Sequence, residues 1–88
     1  MKPLIQYIND AIYLLERAHF EEARNILSEA DRQMVMYIQK AMDRLSRERL
    51  LRLRSFIVDA FNNISNMHHA LIRLKQAKNL IKEMGLRE

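Results

Sequence analysis

The chain has 88 residues, of which 49% are apolar, with one Gly, one Pro, no Cys and a formal net charge of +4. That is enough for one domain spanning residues 1–88, and too few turn residues for an all-β one. The lack of cysteine excludes a disulfide framework, a thiol nucleophile and a thiolate metal site, and it fits a cytoplasmic protein.

Pro3 suits the first turn of a helix, where a missing N–H costs nothing. Leu4, Ile5, Ile8, Ala11, Ile12, Leu15 and Ala18 then form one face, which predicts a first helix over about 3–18. Asn9, Asp10 and Glu16 interrupt these apolar residues, so no signal-peptide core is expected, and no apolar run approaches the roughly 20 residues of a membrane span. A fresh stripe begins at Phe20 and runs through Ala23, Leu27, Ala30, Met34, Ile38 and Ala41 to Leu45. Glu21 and Glu22 stand where a helix N-terminus favours negative charge, so the second helix is expected over about 20–45. Met34 to Ile38 is apolar around nearly the whole helix circumference and should be covered on more than one side.

The longest stripe follows: Leu50, Leu53, Ile57, Ala60, Ile64, Met67, Leu71 and Leu74, continuing after one shortened step through Ala77, Ile81 and Met84. It predicts a third helix over about 48–83, started by Ser46 as cap and closed by Gly85. Asn62, Asn63, Ser65 and Asn66 are poor helix formers, but the seam keeps its phase through them, so they are read as a polar face. Such a helix approaches about 50 Å and outruns the other two. A stripe of that length needs a partner along all of it. The expected architecture is therefore an all-α, three-helix chain in an antiparallel bundle completed by homodimerisation, with Leu50, Leu53, Ile57, Ile64, Met67, Leu71 and Leu74 as the dimer seam.

Charge is uneven. Residues 1–39 carry net −2, residues 40–54 carry net +4 and the rest carry net +2. Lys40, Arg44, Arg47, Arg49, Arg52 and Arg54 supply the middle excess, and they are the candidate anion-binding or partner-binding residues, since arginine grips carboxylate and phosphate with a bidentate fork. With a continuous third helix folded back on the second, Lys75, Lys78 and Lys82 approach Glu16, Glu21 and Glu22, leaving only the Arg-rich end unneutralised. No aromatic residue interleaves that segment, which disfavours stacking on single-stranded bases and leaves duplex backbone contact as the nucleic-acid alternative.

Catalytic patterns are thin. Glu16 and His19 match half of a carboxylate-bridged di-metal motif, but the apolar stripes carry no further inward carboxylate. His68 and His69 project about 100° apart on a helix and cannot readily share an ion. A single glycine rules out a phosphate-cradling loop. No enzyme activity, cofactor or metal is expected.

Residues 7–31 contain Ala11, Ala18, the run Phe20-Glu21-Glu22-Ala23, Leu27 and Ala30. In that spacing the segment resembles one helical hairpin of a tetratricopeptide repeat, and its EEA pattern is similar to that of microtubule-interacting and trafficking domains, which are three-helix bundles. It departs from the repeat at the turn glycine, where Ala18 stands, and no second copy follows. The resemblance implies binding of a protein or peptide. The expectation is a small helical interaction module (adaptor, chaperone-like or regulatory) acting as a homodimer without membrane contact; the alternative is a nucleic-acid-binding dimer using residues 44–54.

Overall fold

In the computed structural model, which describes residues 2–85, the chain is all-helical with four helices in place of three. They are α1 (Leu4–Glu16), α2 (Phe20–Lys40), α3 (Arg44–Asn62) and α4 (Met67–Met84). Each packs on the next and α4 closes on α1, while the backbones of the diagonal pairs stand farther apart across the shared core. This is an up-down-up-down ring around one core. Its 38 Å length matches the roughly 32 Å of the 21-residue α2 plus its turns. No described helix is long and apolar enough to cross a membrane.

The first turn forms without glycine. His19 N–H donates to the Leu14 carbonyl and Ala18 N–H to that of Leu15, a paired closure that requires left-handed backbone at Ala18, where φ is 59°. An L-residue is strained there, so this alanine occupies a position that favours glycine.

The second turn lies earlier than the stripe predicts. α2 stops at Lys40, Ala41 is extended, and Asp43 is the cap of α3: its carboxylate accepts from the Ser46 N–H and hydroxyl, both at 3.0 Å. Ser46 is thus the capped residue and not the cap. These bonds hold the Asp43 carboxyl below the usual carboxylate range, the Ser46 N–H contributing most. Leu45, expected to end the second stripe, stands in the first turn of α3 and is exposed.

The third turn corrects the main expectation. Asn63 Nδ2 donates to the Asp59 carbonyl at 2.8 Å and ends α3, and the Asn66 side chain accepts from His69 N–H at 3.3 Å and starts α4. Asparagine side chains that bond nearby backbone offer the chain an alternative to helix, and here that alternative prevails. The long seam is folded in half upon itself. Leu50, Leu53, Ile57, Ile64 and Leu74 are buried within one chain, Leu71 is partly buried against the same core, and Met67 is exposed at the start of α4. The stripe's demand for cover is met by the chain's own helices. Gly85 closes α4 in the left-handed conformation, φ 61°.

The other core residues are Leu4, Ile8, Ala11 and Leu15 of α1 and Ala23, Leu27, Ala30 and Met34 of α2, spaced at three and four. Gln33 is the one buried polar residue among those described; its Nε2 donates to the Lys2 carbonyl and the Tyr37 hydroxyl, tying the N-terminus to α2. Of the apolar run in α2, Met34 is buried, Val35, Tyr37 and Ile38 are half-covered, and Met36 is exposed.

Candidate functional site

The Asp43 cap fixes where α3 starts, and therefore which way each arginine of its first three turns projects. At about 100° per residue, with Leu50 and Leu53 inward, Arg44, Arg47 and Arg54 lie on the side toward α2, and Arg49 and Arg52 on the side toward α4. The six cations thus do not make one stripe. Lys40 stands across the turn at the end of α2.

Their pairing differs as well. Arg54 is held by Asp31 of α2, Nε donating to Oδ1 at 2.7 Å and Nη2 to Oδ2 at 3.4 Å, a bidentate bridge between helices that raises the guanidinium's already high pKa. Arg44 reaches Glu48 one turn on, at 3.3 Å. Arg52 lies 5.9 Å from the Phe56 ring. Lys40, Arg47, Arg49 and Arg52 are exposed and form no ion pair with the described residues.

Among these charges stand large exposed apolar side chains, of which the stripes place only Leu45 on a buried face. Met42 is 99% exposed, Leu45 55% and Leu51 47%. The wheel position of Leu51 places it beside Arg47 and Arg44, on the groove between α2 and α3. Deeper in that groove a hollow of about 260 Å³ is walled by Ser28, Asp31, Arg54, Val58 and Phe61. Arg24 closes its far end, lying 5.7 Å from the Phe61 ring.

The break at 63–66 also changes the charge map. α4 runs back toward the α2–α3 turn, so Lys82 ends near the Arg-rich tip and does not reach the Glu16, Glu21 and Glu22 end, as a continuous helix requires. At the acidic end Glu22 instead lies 3.8 Å from His19. Glu16 and His19 are both exposed, and no group of three metal-ligating side chains occurs among the described residues. His68 is exposed.

One constellation is invisible in the linear pattern. The Asp59 carboxylate accepts from Asn63 at 3.1 Å and Arg73 at 2.7 Å and lies 2.8 Å from His69 Nε2, joining α3, the turn and α4. These bonds, that of His69 first, hold its carboxyl below the usual range. The spacing of these residues carries a signal only once the break at 63–66 is known. Its geometry secures a helix pair, with every member engaged internally. No family model matches the chain, and no curated protein or solved structure is significantly similar to it.

Proposed function

We propose that the protein is a small helical protein-interaction module, of adaptor, chaperone-like or regulatory type and without catalytic activity, whose contact surface is the α2–α3 corner. The observation that carries this reading is the mixture there: Met42, Leu45 and Leu51 exposed among Lys40, Arg47, Arg49 and Arg52. Exposed large apolar groups inside a cationic patch suit a surface that buries area against a partner and selects it by charge. The resemblance of residues 7–31 to a tetratricopeptide-type hairpin points the same way. Homodimerisation belongs to this reading in altered form. With the α3–α4 seam spent on the chain's own core, a dimer has to use exposed apolar groups elsewhere, such as Tyr13, Met67 and Ile72.

Nucleic-acid binding is the second reading, favoured by the unpaired cations at one end of the bundle. Phosphate contact leaves Met42, Leu45 and Leu51 unaccounted for, which ranks it below. The two separate in one experiment. Immobilised wild-type protein is compared with Leu45→Asp/Leu51→Asp in lysate of the native host, with and without nuclease. Protein retained by the wild type after nuclease and lost by the variant supports the module; retention abolished by nuclease supports the second reading and overturns the first.

A further inference from the structure

We infer that the groove between α2 and α3 is a docking site for an acidic amphipathic helix of another protein. The inference rests on the protein-interaction reading above and names the partner's chemistry. Two contacts set the register of the groove: Asp31 with Arg54, and Arg24 over Phe61. Both obey the same antiparallel pairing, which places Val35 across from Leu50, one residue short of Leu51, and Ser28 across from Ile57, one residue short of Val58. The rims between Ile38 and Arg24 on α2 run about 21 Å, the length of a four-turn helix.

The lining alternates in a way that such a helix would match. Leu51 and Val35 make an apolar step near the Arg-rich tip, the Asp31–Arg54 bridge crosses the floor, and Val58 and Phe61 flank the hollow beyond it. One large apolar side chain fits that hollow and a second rests on Leu51, the spacing of anchors on one face of a helix laid in a groove. Asp31 is neutralised by Arg54, so the charge left at the rims is that of Arg47 toward the tip and of Arg24 at the far end, where Glu21 stands beside Arg24. Carboxylates flanking the partner's apolar stripe complement both.

Charge decides among the occupants. A second copy presents the same net-positive rim, and two such rims oppose each other. A nucleic acid supplies the anions but no side chain for the hollow. Only an acidic helix with an apolar stripe meets both halves of the surface.

The test uses the full chain, ¹⁵N-labelled, and a probe peptide of about 18 residues with leucines at i, i+3 and i+7 and glutamates on both flanks. Controls are the same peptide with lysine for glutamate, a scrambled peptide, a duplex oligonucleotide and simple dilution of the protein. Shift changes running along Val35, Leu51, Val58 and Phe61 with the acidic peptide alone are expected, with affinity reduced about tenfold or more by Leu51→Asp and again by Arg47→Glu. Both positions are exposed, so the variants keep the wild-type spectrum elsewhere. Shifts confined to Met42 and Leu45 overturn the groove and leave the interaction module standing. Equal binding by the lysine or scrambled peptide, shifts at the groove with the duplex alone, or shifts that follow protein concentration without peptide overturn the inference in favour of non-specific, nucleic-acid or self-association respectively. No shift with any probe overturns it outright.

Discussion

Replacing Leu53 and Leu51 by alanine, one at a time, measures whether α3 is seated as described, because two positions along one helix turn opposite ways. Leu53 is fully buried among the side chains of the core, and truncating it removes its transfer energy and leaves a cavity, a loss of about 2–5 kcal/mol. Leu51 keeps 47% of its surface in water. Fully burying a leucine is worth roughly 1.5–3 kcal/mol, alanine retains part of that, and it is also the better helix former, so Leu51→Ala should cost under about 1 kcal/mol. Against a total stability of about 5–15 kcal/mol, with a domain this small at the lower end, the first loss is severe and the second minor. Urea unfolding followed by circular dichroism gives both numbers, with midpoints shifting at constant slope. Equal losses, or a larger loss at Leu51, would refute the placement of α3 and with it the exposed surface on which the functional reading stands.

Three further outcomes follow from the turns. Ala18→Gly removes the side-chain strain of a left-handed residue and should raise stability by about 0.5–1 kcal/mol in thermal or urea unfolding; no gain would mean the turn after α1 is built otherwise. Asn66→Ala deletes the cap of α4 and should cost about 1 kcal/mol, whereas a continuous helix through this position would be stabilised by the same change. The Asp59 carboxyl titrates below its ordinary value in the folded chain, so its contribution is complete above a pH of about 4 and is lost as pH falls through the lowered folded value. Asp59→Asn should therefore flatten the fall of melting temperature on the acid side while lowering stability at neutral pH, and an unchanged acid limb would show that the cluster with His69 and Arg73 does not form.

Much of the fold is legible in the residues. Pro3, Glu21 with Glu22, and Gly85 mark helix ends that the structure keeps, and the middle apolar positions of α1 and α2 are core as their spacing requires, while Ala18 and Phe20 at the turn between them are exposed. The concealed feature is the α3–α4 turn, and its concealment has a physical cause. Ile57, Ala60 and Ile64 face inward on the approach to the turn, and Leu74 and Ile81 face inward after it, so an uninterrupted helix accounts for nearly the same apolar set. The trace of the break is the shortened step from Leu74 to Ala77. In α4 the buried positions are Ala70, Leu74, Ala77 and Ile81, a regular series that makes Ala70, and not Leu71, the inward residue. Asn62, Asn63, Ser65 and Asn66 announce the turn by composition, and weighing them as cap and stop residues rather than as a polar face recovers it. The candidate site is legible only as charge. Leu51 already falls off the predicted seam, but that Leu45 stands outside the core depends on where Asp43 starts α3, a matter of one side chain's hydrogen bonds.

The claim on which the rest depends is that one chain closes its own core, leaving the α2–α3 surface free for a partner. Small-angle X-ray scattering extrapolated to zero concentration measures this directly. A four-helix monomer predicts a radius of gyration close to the 12.2 Å of its Cα atoms, enlarged by about 1–2 Å for side chains and hydration. A dimer built along a continuous third helix of roughly 50 Å predicts about 18 Å. A value near the latter, holding on dilution, would contradict the account.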